Sequence, residues 1–329
     1  MRVLLVSPAF HGYARAMAMA LGAIGHEVSV HLYDRPVDMR SRVGMRLLHR
    51  PPEGGQAVWA RAELTVRAIG ALRSIRPEAV LVVKGDQFGS DWWEALSESG
   101  VPHVTWFYDE LRRMRYSAEQ LSVVGPIATY SACDVRTLAA SGITVTHVPL
   151  GFDALADVVD RSHEGISFVG ARYPGREATL RRLVAAGVTV KAFGRGWSRR
   201  PLDIIRSGQF RHPGVASGPQ LDRSESYGLM KASAATLNLH GDQDGFTMRT
   251  FEAPGVGAVH ICDRQDVAMH YEIGAETLVF STEEELAEIC HRVLADPVWA
   301  GSIRERGRKR TLAEHTLVHR MRTLETLWA

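Results

Sequence analysis

The chain is short of cysteine and has no long apolar run, and both absences exclude whole classes of protein. Its three cysteines, Cys133, Cys262 and Cys290, are far apart and odd in number. They form neither a disulfide framework nor a zinc-binding spacing, and they fit a reducing cytoplasm. The first apolar run, residues 3–6, is too short for a signal peptide or a membrane span and reads as a strand. Net charge is only +2, so no basic excess points to nucleic acid as the main partner. No low-complexity tract or short repeat is visible. The opening β-α-β pattern carries no G-x-G-x-x-G, which removes the dinucleotide fingerprint.

What is present is alternation. In the first half, apolar runs at 2–7, 27–32, 79–83, 102–107, 123–130 and 145–148 read as strands. Helical spacing fills 13–25, 56–75, 92–99 and 133–140 between them, and 34–55 reads as a loop or irregular helix. Residues 149–164 lose periodicity and form an interdomain linker. A second series follows, with strands at 166–169, 188–193, 234–239, 258–262 and 277–280. After a loop at 170–176 a helix is expected to about 186, with others at 221–232, from 248, at 265–270, from 283 (with Thr282 and Glu285 as a capping box), to about 308, and at 316–328. Strands alternating with helices through short loops mean parallel, doubly wound sheets. The expected fold class is α/β: two Rossmann-like domains, 1–150 and 151–315, facing a cleft, with a terminal helix at 316–329 returning to the first. This arrangement resembles the GT-B architecture of glycosyltransferases; periodicity gives the two α/β domains but not the reaction.

One loop concentrates the chemistry. Between the strands at 234–239 and 258–262 lie Asn238, His240, Asp244, Thr247, Arg249 and Glu252. In a parallel sheet, ligands bind where loops leave the carboxyl ends of strands and enter helix N-termini, whose unpaired N–H groups attract phosphate. Carboxylates suit ribose and sugar hydroxyls; amides, a hydroxyl and an arginine suit a diphosphate. Two companion loops repeat the pattern. At Gly170-Ala-Arg172-Tyr-Pro-Gly-Arg176, Gly170 lets backbone approach phosphate, and Arg172 or Arg176 neutralises it. At Gly194-Arg-Gly196-Trp197, an indole or backbone amides face a nucleobase, or the Trp fills the domain edge. Asp242-Gln-Asp244 also spells the D-x-D that holds a metal in the other large glycosyltransferase fold, but that fold has a single domain.

Asp244-x7-Glu252 resembles the E-x7-E motif of retaining group-1 glycosyltransferases, with Asp in place of the first Glu. Arg249-Thr-Phe-Glu252-Ala-Pro-Gly-Val-Gly257 looks like the core of the spore-maturation-type glycosyltransferase-like proteins. Ser167-Phe-Val-Gly170, Tyr173 with Arg176, Phe193-Gly194-Arg-Gly196-Trp197, Asn238-Leu-His240, His315-Thr316 and His319-Arg320 follow in that family's order. Lys84-Gly85 and Trp106-x-x-Asp109 match its first half more weakly. The resemblance implies a cytoplasmic enzyme that moves a sugar from a UDP-, GDP- or dTDP-sugar to a small-molecule or glycan acceptor. It implies retention of configuration and no metal or other cofactor. Asp244 then faces the donor sugar and Glu252 the ribose.

Acceptor contacts are expected in the first domain, at His11, Asp86 and Asp109, each just after a strand; His11 or Asp109 is placed to handle a proton. Two other readings share these residues: a GT-B nucleotide-sugar epimerase, and a nucleotide-sugar-binding protein that lost catalysis because Asp244 is one methylene short. His315 and His319, spaced i, i+4, read as helix-packing residues rather than metal ligands. The basic run 304–310 reads as a solvated helix face.

Overall fold

The computed structural model describes residues 1–35 and 55–328. The stretch read as a loop or irregular helix, 34–55, lies almost wholly outside them. The chain divides into one unit of Met1–Leu150 with Leu317–Ala329 and a second of Gly151–Thr316.

The first unit holds β1 (Arg2–Ser7), α1 (Tyr13–Ala23), β2 (Glu27–Leu32), α2 (Gly55–Ile75), β3 (Ala79–Val83), α3 (Ser90–Glu98) and β4 (His103–Phe107). It continues through α4 (Ala118–Val123), β5 (Ile127–Thr129), α5 (Ala132–Ala140) and β6 (Val145–His147). The six strands are parallel in the order β2-β1-β3-β4-β5-β6. Every residue of β3 is buried, as its unbroken Ala-Val-Leu-Val-Val run requires of a strand covered on both faces. The last helix, α12 (Leu317–Trp328), belongs to this unit. It buries Leu317, Met321, Leu324 and Trp328, and Arg320 Nε donates to Leu150 O at 3.0 Å.

The second unit runs β7 (Ile166–Val169), α6 (Pro174–Ala185), β8 (Val190–Phe193), α7 (Pro201–Ser207), β9 (Ala216–Gly218), α8 (Arg223–Ala232) and β10 (Ala235–Asn238). It continues with α9 (Met248–Gly255), β11 (Val259–Cys262), β12 (Leu278–Val279), α10 (Glu283–Ala295) and α11 (Pro297–Glu314). Its six parallel strands are ordered β12-β11-β10-β7-β8-β9. The two doubly wound sheets expected from the alternation are therefore present.

The departures are local. Residues 123–130 are not one strand: Ser117 and Gln120 form a capping box that starts α4, and only Ile127–Thr129 pair in the sheet. Residues 201–218 carry a helix and an edge strand that periodicity does not announce, because α7 is too short to show a repeat. Gln265–Met269 is a 3-10 turn rather than an α-helix. At α10, Thr282 Oγ1 accepts from Glu285 N at 3.2 Å, while Glu285 reaches Ser281 N, one residue before the cap. Helix α11 continues past 308 to Glu314, so His315 ends one helix and His319 lies in another.

Candidate functional site

In the second sheet, β7 stands between β10 and β8, so chain connections leave the sheet in opposite directions from β7 and β10. Loops diverge at such a switch point and leave a crevice at the strands' carboxyl ends. Two of the three loops singled out in the sequence, 170–176 and 239–247, begin there.

Behind the crevice lies a buried polar chain. Asn238 Nδ2 donates to Thr250 Oγ1 at 2.9 Å, and Asn238 Oδ1 accepts from Thr247 Oγ1 at 3.4 Å, which ties the end of β10 to the first turn of α9. His240 donates its backbone N–H to Asp263 at 2.9 Å and sets Nδ1 2.7 Å from the same carboxylate. Its Nε2 lies 3.2 Å from Thr250 Oγ1. On β11, His260 Nδ1 lies 2.7 Å from Thr277 Oγ1 and Nε2 3.3 Å from Asn238 Nδ2. The Thr277 hydroxyl proton goes to His260 O at 3.2 Å, so His260 must donate from Nδ1 and accept at Nε2. The set closes if Thr250 gives its proton to His240 Nε2 and His240 Nδ1 donates to Asp263. Burial, and next the neighbouring His240, push the His260 pKa down to about 3. Burial works against charge on Asp263, but its hydrogen bonds to His240 outweigh it and hold the carboxyl below its usual range.

Helix α9 begins at Thr247, whose side chain makes no capping bond to the helix because it is turned to Asn238. Arg249 forms an ion pair with Glu252 one turn on, and its Nε donates to Val169 O at 3.3 Å, spanning from α9 to the end of β7. The guanidinium is about a quarter exposed, whereas the Glu252 carboxylate is fully buried and also accepts from Tyr227 OH at 3.2 Å. Asp244 is half-buried in the loop before α9. Arg264 grips that loop through the carbonyls of Gln243 (2.9 Å) and Gly245 (3.3 Å) and lies 4.1 Å from the Phe246 ring centroid. Asp242 is exposed beside it. Among the described residues, no group of three or more His, Cys, Asp or Glu side chains is arranged to hold a metal ion.

The companion loops pack on each other. Trp197 is fully buried, with Nε1 donating to Gly170 O at 3.0 Å and its ring edge-on to Phe168. Arg172 is buried too; it pairs with Glu177 at 2.8 Å and donates to Arg211 O at 2.9 Å. Arg176 Nε donates to Leu239 O at 2.8 Å, stitching the loop after β7 to the loop after β10. Arg172 and Trp197 thus hold the loops after β7 and β8 together, and Arg176 ties the first of them to the loop after β10. Gly194 (φ 149) brings the loop after β8 against Gly170, and Gly196 lies close to Arg172. A Cβ at Gly194 would sit 2.5 Å from Gly170 O, a backbone atom that cannot swing aside. Gly194→Ala is therefore expected to lower the unfolding free energy by about 3 kcal/mol in a urea titration. An unchanged midpoint would show that the two loops are free to separate.

In the first sheet, the switch point lies between β1 and β3. His11 follows β1 at an exposed turn with φ 45. After β3, Lys84 Nζ meets Asp109 Oδ2, from the loop after β4, at 3.0 Å. Asp86 is buried; its Oδ2 accepts from Arg115 N at 3.2 Å, and its Oδ1 has no hydrogen-bond partner among the described residues. Glu110, beside Asp109, is fully buried between Arg112 and Arg113, each 2.9 Å away. Burial, and next Glu110, raise the pKa of Tyr130, whose hydroxyl donates to that carboxylate at 3.3 Å.

Sequence reasoning did not single out Arg264, His260, Asp263, Tyr227 or Glu110. A histidine within the apolar Val-His-Ile-Cys of β11 was the available signal for His260; the others are revealed by partners distant in sequence. His315 Nε2 lies 3.0 Å from His270 O, among the rings of Phe251, His270 and Tyr271. The basic run 304–310 is largely spent on structure. Arg304 donates to Ser233 O at 3.0 Å, Arg306 to Ala275 O at 3.0 Å, and Arg310 pairs with Glu276 at 3.2 Å and with Glu314.

Residues 176–326 match a family model described as glycosyl transferase-like, which spans just under half of the chain. No curated protein sequence matches. Among solved structures, Anabaena HepE in complex with UDP superposes with a TM-score of 0.67 at 15% identity, over 99% of each chain. Sucrose-phosphate synthase from Thermosynechococcus elongatus does so at 0.66 and 15% identity, over 99% of this chain and 98% of that one. A UDP-N-acetylglucosamine 2-epimerase superposes at 0.61 and 12% identity, over 99% and 94%. Likeness at this identity establishes the fold: the chain has the GT-B fold.

Proposed function

We propose that this protein is a cytoplasmic glycosyltransferase that takes a sugar from a UDP-sugar and passes it to a hydroxyl acceptor, with retention and without a metal. The observation that carries the reading is Arg249, held between β7 and the side-chain-uncapped start of α9 at the switch point of the second sheet. A partly exposed cation beside helix N–H groups is a site for a diphosphate. UDP is the nucleotide of choice because HepE, of the same fold, has been seen with UDP and with UDP-glucose. Arg249-Thr-Phe-Glu252-Ala supports the finer placement in the spore-maturation-type branch.

In this reading the diphosphate takes Arg249 from Glu252, and the released carboxylate turns to the ribose. The pair keeps both charges compensated until the donor arrives. Asn238 and His240 hold α9 in place, Thr247, Gly170 and Arg176 line the diphosphate, and Asp244 faces the sugar from the loop that Arg264 secures. The first unit supplies acceptor contacts at His11, Asp86 and the Lys84–Asp109 pair.

Calorimetry with UDP, GDP and dTDP tests the donor. UDP is expected to bind about tenfold more tightly than GDP, with affinity and turnover of UDP-glucose unaffected by EDTA. Absence of binding to all three nucleotides sinks the reading. Turnover to an epimeric nucleotide sugar without acceptor favours an epimerase, and binding without turnover favours a binding protein.

A further inference from the structure

The loop after β8 carries a feature that neither the fold nor the donor site uses. Leu202, Ile205 and Phe210 are 66%, 69% and 71% exposed. The other two described large apolar side chains more than 60% exposed, Val66 and Val298, stand singly. Isolated exposed apolar residues are ordinary; three within nine residues are a patch. Leu202 and Ile205 are i, i+3 on α7 and share a face. The chain turns back at Gly208, and Arg199 Nη1 donates to Phe210 O at 3.4 Å, bringing Phe210 alongside the residues before α7. The hydrophobic core of this unit takes Trp197 and Val215 on either side but nothing from 198–214. Folding therefore leaves these apolar side chains without a role.

Their surroundings are basic. Arg199, Arg200, Arg206 and Arg211 are all exposed in the same segment. Its one acidic residue, Asp203, already accepts from Ser198 Oγ at 2.7 Å. Exposed Leu, Ile and Phe ringed by arginine is the composition of a surface that lies in a lipid headgroup layer, where apolar side chains enter the acyl boundary and guanidinium groups meet phosphate. A second copy docked face to face would set the same arginines against each other. No described helix is long and apolar enough to cross a membrane, so the contact would be peripheral.

We infer that residues 199–211 form a docking surface for an anionic lipid bilayer. The buried Arg172 fastens it to the second unit, donating to Gly196 O at 3.4 Å and to Arg211 O at 2.9 Å. The patch is thus mounted on the loops after β7 and β8. The inference does not depend on the donor assignment.

Co-sedimentation of the full chain with phosphatidylcholine vesicles carrying about 30% phosphatidylglycerol tests it. Binding is expected there, little on phosphatidylcholine alone, and loss as salt rises toward about 1 M. The combined variant Leu202→Ser, Ile205→Ser, Phe210→Ser, and separately Arg200→Gln with Arg206→Gln, should each weaken binding about tenfold. Melting temperature and UDP affinity should stay as in the wild type. No binding to anionic vesicles, equal binding to neutral ones, or undiminished binding by the apolar variant overturns the inference. Self-association abolished by the apolar variant, without vesicle binding, overturns it in favour of a second copy as occupant.

Discussion

Arg249→Ala is expected to lower UDP affinity by about tenfold or more and to cost about 3 kcal/mol of stability. The first effect follows from removing the cation proposed to meet the diphosphate. The second follows from the asymmetry of the pair. Glu252 is fully buried while Arg249 is about a quarter exposed. Without Arg249 the buried carboxylate loses its cationic partner, and a buried charge without a counter-ion is costly. Glu252→Ala is the gentler change for folding, about 1–2 kcal/mol, because water can reach the freed guanidinium. It should still weaken UDP severalfold by removing the proposed ribose contact. Urea unfolding and calorimetry on both variants read the two quantities separately. Equal stability losses would mean that the carboxylate is not the committed partner, and undiminished UDP affinity in Arg249→Ala would remove Arg249 from the site.

Acidification from pH 6.5 to pH 5 is expected to cost about 2 kcal/mol of stability through His260 alone. Burial holds this imidazole neutral in the folded protein, with its pKa down at about 3, whereas an unfolded histidine titrates near its model value of 6.5. Below 6.5 the unfolded chain takes up a proton that the folded chain refuses, so stability is full above 6.5 and falls with pH until about 3. His31, His147 and His163 are also lowered, chiefly by burial, and act in the same direction. The diagnostic is therefore a difference: His260→Gln should flatten the slope by up to about 1.4 kcal/mol per pH unit between 6.5 and 5. Asp263 contributes outside this window, since its lowered pKa preserves its charge until more acidic pH. Urea titrations of both proteins across the range give the comparison. An identical slope in the variant would place the His260 ring in contact with water. Because the folded protein keeps His260 neutral over this interval, its contact with Asn238 and the start of α9 is retained, and UDP affinity should not change through His260.

The order of strands and helices was legible because the central strands are mostly apolar runs and several helices have a capped or glycine-marked end. The run at β3 and the Thr282 cap are examples. The loops at both switch points were legible for the same reason: they are polar stretches after apolar strands. What was hidden is the direction of each side chain. Arg172, Arg176 and Arg249 have the same chemistry in sequence, yet Arg172 turns inward to Glu177, Arg176 bridges two loops, and Arg249 spans from α9 to β7. Trp197 similarly puts its indole N–H on Gly170 O inside the unit. Those outcomes depend on backbone carbonyls and carboxylates that come close only on folding. The network around His260 was unreadable for the same reason: Asn238, His260 and Thr277 lie on or beside three neighbouring strands and meet only once these pair. Helix α7 was missed because a seven-residue helix that buries no core side chain leaves no periodic signal.

The central claim is that a uridine diphosphate binds at the switch point of the second sheet. Backbone hydrogen exchange of the full chain with and without UDP tests it most directly. The account predicts slower exchange in 170–176 and 239–250, lost in Arg249→Ala. Protection confined to the loops after β1, β3 and β4, or no protection at saturating UDP, would contradict it.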